Sequence, residues 1–381
     1  MTHEKSDLKR QQSFARPSVN PFVHPCKTSR AQKLQILLMS VFVVPFRAIA
    51  LAFFFLLTWT SCYVFTLGMP PTRNRPASRF RAALFDILRV LGRITFFCIG
   101  FHHVEVRGKR ASSAEAPVLV MAPHSSFFDG IAVFVGRGLP SAVSRSENAE
   151  APLLGTLLKA VQPINVSRDD PDSRQNTINT IRERASSKGL WPQLVIFPEG
   201  CCTNGQALIT FKSGAFIPAV PVQPVLIEYL NDWDTYRWTM KGIDGLIVLW
   251  YTMCQLQTRC RVTFLPVHVP SELEAASPKL FAQRVRSEMA EVLRVPCTEH
   301  SFEDCRLMRH STKLDLPMEA GLIEFSKISR KLDMDIEVGF WGFGSRFSGF
   351  WELSRIWEIR ESFSAPSESS QITRFVSVFL A

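Results

Sequence analysis

The nine cysteines of this 381-residue chain show no paired spacing. An odd count without a framework excludes a disulfide-stapled scaffold and favours reduced thiols. No zinc-ligand pattern is present. Cys254 and Cys260 with His268 are too few and too loosely spaced, so no metal site is expected. The G-x-S-x-G elbow that a serine hydrolase of the α/β type requires is missing. Lysine and arginine are spread out rather than massed and no nucleic-acid-binding motif occurs, so no nucleic-acid partner is expected. The chain has no internal repeat. A cleaved signal peptide is not expected, because the first strongly apolar segment starts near Leu34.

What is present is apolar and basic. Hydrophobic residues make up 46% of the chain, with 30 phenylalanines, which permits a large core and also a membrane contact. The length suits one large domain with accessory segments. A net charge of +10 suits an anionic partner such as phospholipid headgroups or a nucleotide cofactor.

Residues 1–33 are polar, basic and interrupted by Pro17, Pro21 and Pro25, and read as a disordered lead. Residues 34–69 are almost wholly apolar, with Arg47 beside Pro45 as the one charge. One span needs about 20 residues, and two need about 40 plus a turn. Two readings therefore stand: a single span over about 48–69 after an apolar approach helix, or a re-entrant hairpin turning at Pro45-Phe46-Arg47. Basic residues flank the segment on both sides, which favours the hairpin. Residues 78–103 have helical periodicity, with Phe80, Leu84, Ile87, Leu88, Leu91 and Ile94 set against Arg81, Arg89 and Arg93. Such a helix suits a membrane interface or the surface of a core.

From 115 to 310 strand and helix patterns alternate, the sign of an α/β domain around one sheet. Strands are expected over 118–121, 194–197, 222–228 and 261–265, and helices over about 126–136, 172–187 and 278–293. The last has Ser277 as N-cap, Pro278 at the first helical position and a stripe of Phe281, Val285, Met289 and Val292. After 336 the chain turns aromatic and then serine-rich, and no fold is assigned to 336–381.

The chemistry sits at strand ends. His124 follows the apolar run Val118–Met121 and precedes Asp129 by five residues. In a continuous helix those residues would lie about 140° apart. A strand–turn–helix brings them together, with Ser126 as N-cap and Asp129 in the first turn. The carboxylate then fixes the imidazole tautomer while the other ring nitrogen takes a proton from a hydroxyl. This is the base and orienting half of a triad without a protein nucleophile, so the substrate would supply the hydroxyl. The bland alternative is that Asp129 merely caps its helix.

A second strand ends in Phe197-Pro-Glu-Gly200-Cys-Cys-Thr-Asn-Gly205. Glu199 could hold a substrate hydroxyl or orient a basic side chain, and Gly200 permits close backbone approach. Lys212 could meet a phosphate. Arg168, after Pro163-Ile-Asn-Val-Ser, could clamp one, or pair with Asp169 or Asp170 on the surface. Cys201 and Cys202 offer an alternative nucleophile, although the local signatures of Cys–His hydrolases are absent. Asn165-Val-Ser167 is a glycosylation sequon inside an expected strand, which disfavours modification.

Four blocks in order, His124–Asp129, the Arg168 segment, Phe197–Gly200 and Val220-Pro-Val-Gln-Pro-Val225, resemble those of the glycerolipid (1-acylglycerol-phosphate) acyltransferases. The strings Asn20-Pro-Phe-Val23, Ala122–Ala132, Val166–Asn179 and Leu208–Leu226 are most similar to the lysophosphatidylcholine acyltransferase branch, and the likeness runs from about 20 to 335. It implies a mixed sheet flanked by helices, preceded by an N-terminal membrane segment, with 311–335 as a family-like extension. It also implies a membrane-bound acyl-CoA:lysophospholipid O-acyltransferase of the endoplasmic reticulum, with Golgi and lipid-droplet surfaces as further sites. Its acceptor would be lysophosphatidylcholine or the lyso form of platelet-activating factor. Acyl-CoA or acetyl-CoA would be co-substrate, with no bound cofactor. On that reading His124 and Asp129 are catalytic, while Arg168, Glu199, Gly200, Cys201, Cys202 and Lys212 bind substrate.

Three departures stand out. Glu199-Gly-Cys-Cys202 replaces Glu-Gly-Thr-Cys, with Gly205 in place of Arg. Lys212-Ser213 replaces Lys-Pro. The family's EF-hands are missing, since Asp333-Met-Asp335 only begins such a loop, and Val338 and Gly344 stand where Gly and Glu are needed. No calcium binding is expected. The altered turn also leaves a non-catalytic alternative, a membrane-anchored lipid-binding or dimerisation partner of such an enzyme.

Overall fold

The computed structural model describes residues 20–67, 79–136, 138–145, 154–166 and 171–313. The chain forms two units, 1–302 and 303–381. The Arg168 segment, the 311–335 extension beyond residue 313 and the 336–381 tail lie outside the described residues.

The first unit is built on one seven-stranded sheet. Its strands are β1 (His103–Arg107), β2 (Val118–Ala122), β3 (Ser141–Arg145), β4 (Ile164–Val166), β5 (Leu194–Ile196), β6 (Val222–Tyr229) and β7 (Arg259–Phe264). They lie in the order β1-β7-β6-β2-β5-β3-β4. Only β6 and β7 pair antiparallel; every other pair is parallel, so the sheet is mixed. β2 is central and all five of its residues are buried, as a strand covered on both faces must be. Val118, Val120 and Ala122 face a core that includes Leu226, Phe281 and Val285. Leu119 and Met121 face a second core with Phe101, Phe128 and Ile131.

The helices are α1 (Arg30–Phe42), α2 (Val44–Thr66), α3 (Arg79–Ile99), α4 (Leu154–Ala160), α5 (Pro171–Ala185), α6 (Gly245–Met253), α7 (Glu272–Ala276), α8 (Pro278–Leu293) and α9 (Phe302–Lys313). α8 begins where its local signals place it, with the Ser277 hydroxyl accepting from the Leu280 N–H. Of its apolar stripe, Phe281, Val285 and Met289 are buried, but Val292 is 52% exposed.

Three expectations are corrected. The lead over 1–33 is not disordered from residue 20 onward. Phe22 is fully buried, and the strap carrying it bonds to Lys241 on both sides, through Lys241 N–H to Phe22 O and His24 N–H to Lys241 O, each 3.0 Å. Pro21 and Pro25 suit an extended strap, and Ser29 then caps α1 with a complete capping box. Second, the helix placed over 78–103 ends at Ile99. Gly100, at φ +125°, breaks it, and His103 already belongs to β1. Arg93, from the cationic face, donates to Phe101 O at 2.8 Å and so closes that end.

Third, the hairpin does not turn at Pro45-Phe46-Arg47. The chain does break there, at Val43 between α1 and α2, but Arg47 docks on the sheet domain. Its guanidinium donates to the carbonyls of Met253, Gln255 and Leu256 at the end of α6, at 2.7, 2.5 and 2.8 Å. The antiparallel pair is α2 with α3. Cys62 near the end of α2 packs with Phe85 and Leu88 near the start of α3, while Val44 and Leu51 pack with Ile99 and Phe101.

Candidate active site

β2 and β5 are adjacent and parallel, in the register Val118↔Leu194 to Val120↔Ile196. Continued outward, this register sets the chain after β2 beside the chain after β5. β6 flanks β2 on its other side, so loops from opposite halves of the fold meet at the carboxyl end of β2. Crevices in α/β sheets form at such places.

Ser126 caps a 3₁₀ helix over Phe127–Phe134, where an α-helix was expected, and Asp129 stands at its third position. The capping box folds the Asp129 side chain back towards His124. Asp129 is fully buried. Its Oδ2 accepts from the backbone N–H groups of Ser125 (2.7 Å) and Ser126 (2.9 Å) and from His124 Nδ1 (2.8 Å). Its Oδ1 accepts from the Tyr229 hydroxyl at 2.6 Å. With Nδ1 donating to the carboxylate, Nε2 is the acceptor of the neutral imidazole. Nε2 faces the Cys202 thiol at 3.5 Å.

The His124 ring is held from several directions. It stacks on Phe197, with centroids 4.2 Å apart. Its backbone N–H donates to Glu199 Oε2 at 2.5 Å, and its carbonyl accepts from the Thr203 N–H at 2.7 Å. The turn after β5 thus grips the main chain of the residue after β2. Burial disfavours the imidazolium, but the charge of Cys202 and the hydrogen bond to Asp129 outweigh it and hold His124 well above the ordinary histidine value.

Glu199 lies against His124. Its side chain is fully buried, and Oε2 accepts from the His124 backbone N–H, so it supports the histidine. Burial, with the Asp129 charge adding to it against the His124 N–H, pushes its carboxyl up to about 8. Its Oε1 is buried without a hydrogen-bond partner. Gly200 turns beside it at φ +73°, where a Cβ would meet Lys212 Cε at 3.1 Å, which accounts for the glycine. The Lys212 ammonium lies 3.7 Å from the centre of the Phe302 ring. The Cys201 thiol turns back to the Glu199 carbonyl at 3.9 Å.

The structure therefore gathers His124, Asp129, Glu199, Gly200, Cys201, Cys202 and Lys212 around one turn. It adds residues that the sequence reading missed. Tyr229 completes the shell of Asp129, and burial, then the Asp129 charge, push its phenol far above the usual value, so it remains a donor. Its position at the carboxyl end of a strand was the available signal. Asn204 ties the turn to the N-terminal strap, donating to Asn20 O at 3.0 Å and Val23 O at 3.1 Å.

A fully buried carboxylate and an imidazole that it orients, with Nε2 facing the Cys202 thiol, thus meet at the carboxyl ends of the central strands. Residues 103–228 match the family described as Acyltransferase. It is 53% identical over 328 residues to lysophosphatidylcholine acyltransferase 2 of Rattus norvegicus and 52% identical to that of Homo sapiens. Each match covers 86% of this chain and 60% of the relative. Lysophosphatidylcholine acyltransferase 1 of Rattus norvegicus is 44% identical over 325 residues, 85% of this chain and 60% of the relative. The chain thus spans about 60% of the length of the curated relatives it matches.

Proposed function

We propose that this chain transfers an acyl group from acyl-CoA to the free glycerol hydroxyl of a lysophospholipid, lysophosphatidylcholine or the lyso form of platelet-activating factor, at a membrane surface. The Asp129–His124–Nε2 alignment carries the reading. Nε2 takes the hydroxyl proton, and the oxygen attacks a thioester carbonyl. The proton leaves with the CoA sulfur, so His124 serves as base and then as acid. Asp129 holds the tautomer, Tyr229 and two backbone N–H groups hold Asp129, and Glu199 holds His124 in place. Arg168 and Lys212 supply positive charge for phosphates, and the net charge of +10 draws anionic lipid and CoA to the protein. The dyad is intact, which speaks against a purely non-catalytic partner.

Membrane placement rests on α2, a 23-residue helix long and apolar enough to cross a bilayer. Phe46, Ile49, Phe53 and Leu56 on it are each more than 60% exposed. Both of its ends pack against the sheet domain or α3, which supports a helix seated in one leaflet beside the domain rather than one crossing alone. The endoplasmic reticulum is the proposed membrane, with Golgi and lipid-droplet surfaces as further sites.

Full-length protein in membranes, given labelled lysophosphatidylcholine and a panel of acyl-CoAs that includes acetyl-CoA, tests the activity. Labelled diacyl product is expected. Absence of product with every donor and lysolipid from correctly inserted protein would overturn the reading.

A further inference from the structure

We propose that α6 and the Trp238–Phe127 pair form a second membrane-contacting surface, which holds the acyl chain of the lysolipid while its hydroxyl reaches His124. The inference rests on the acyltransferase reading above and concerns how the same site meets the bilayer.

α6 carries apolar side chains that the described residues leave open to solvent. Leu246 is 76% exposed, and Ile247 and Trp250 are exposed with it. Leu246 and Trp250 are four residues apart, so they share one helix face. Ile36 and Met39 of α1 pack on Cys254 at the end of α6. Trp250 ties its own face to α1, because its indole N–H donates to the Ser40 hydroxyl at 2.9 Å. Leu37 and Val41, before and after Ser40, are exposed as well. Beyond the break at Val43 the exposed run continues with Phe46 and Ile49 of α2, the helix long enough to cross a bilayer. One apolar surface thus extends from α2 through α1 to α6.

Its chemistry fits a bilayer better than a protein partner. It is continuous with the helix that places the chain at a membrane. Tryptophan, with an apolar body and a polar N–H, favours the membrane interface. The exposed Arg30 and Lys33 stand one turn before Leu34 and Leu37, where lipid phosphates would lie. α6 has nine residues, too few for the about 20 that a span needs, so it lies in the interface plane.

The surface leads to the base. The Trp238 backbone N–H donates to Ser125 O at 2.9 Å, one residue from His124. Its ring meets Phe127 edge-on, with centroids 5.6 Å apart. α6 starts against this pair, since a Cβ on Gly245 would lie 3.6 Å from Trp238 Nε1 and 3.8 Å from Phe127 Cε1. Both rings are exposed. They join the outer surface to the His124 turn. A lysolipid chain kept on this strip stays out of water while the glycerol approaches Nε2.

Full-length protein is reconstituted with phosphatidylcholine that carries a photoactivatable diazirine in its acyl chain, and labelled residues are mapped by mass spectrometry. Label is expected on Leu246 and Trp250 as well as on α2. Label on α2 alone would overturn the proposal and leave the α6 face to a protein partner. A kinetic arm tests the route to His124. Leu246→Glu should lower kcat/KM for palmitoyl lysophosphatidylcholine in phosphatidylcholine vesicles by at least about tenfold, as loss of one leucine's apolar contact would. For a water-soluble, short-chain lysophosphatidylcholine the loss should stay under about twofold, and Leu246→Phe should recover the vesicle activity. Equal losses on the two acceptors, or no loss on either, would overturn the proposed route. Label on α6 in a parent protein that acylates neither acceptor would overturn the acyltransferase reading and keep the membrane contact.

Discussion

At the scale of single residues, the site depends on supports more than on the reacting groups. Asp129 collects four donors, and each comes from a different residue. Removing any of them leaves a fully buried carboxylate short of a partner, which costs about 1–3 kcal/mol or more. Glu199 is a support of another kind, a buried carboxyl whose value is raised to about 8 from an ordinary 4.5. A raised carboxyl holds its proton in the folded state while the unfolded chain has lost it. Stability from this group is therefore full below pH 4.5 and drains away as pH rises through 8. Glu199→Gln keeps the carbonyl that accepts from the His124 N–H but cannot ionise. Thermal unfolding from pH 5 to 9 should show the parent losing more stability than Glu199→Gln across that window. Parallel curves would mean that Glu199 is not held neutral.

At the scale of elements, the N-terminal helices decide where the site sits. α2 and α3 lie antiparallel, and Arg47 and Arg93 fasten the end of this pair that lies next to the sheet, through carbonyls after α6 and after α3. The outward side of α2 is left apolar. Phe46 and Phe53 are 72% and 61% exposed, so Phe46→Ser with Phe53→Ser removes apolar surface without opening the core. Flotation with phosphatidylcholine vesicles should show weaker retention for the double variant. Equal retention would place the membrane contact elsewhere.

What the sequence showed at this scale followed distance along the chain. The caps at Ser126 and Ser277, the central strands and the His124–Asp129 pair depend on neighbours a few residues away. The partners of Arg47 lie more than 200 residues off, and Tyr229 reaches Asp129 across 100 residues through strand register. The strap around Phe22 looks like a proline-broken tail until the domain that buries it is present. The bond of Glu199 to the His124 backbone likewise joins residues 75 apart, which position after a strand does not reveal.

At the scale of the whole molecule, sheet order brings the parts together. The chain leaves β2 for β3 and β4, returns through β5, and crosses to β6 on the far side of β2. The base, its gripping turn and the Tyr229 donor come from three separate stretches of chain that meet only because β5, β2 and β6 are neighbours. On the proposed function, the apolar helix α2 and the net positive charge bring a lipid hydroxyl and a CoA thioester to the same ring nitrogen. The central claim is that His124 moves the proton in acyl transfer. The most direct measurement is the rate of labelled lysophosphatidylcholine acylation by His124→Ala beside the parent protein, with thermal unfolding to confirm the fold. The account predicts a loss of about 10²–10⁴-fold, the usual contribution of a positioned base. A folded His124→Ala protein that acylates at the parent rate would contradict it.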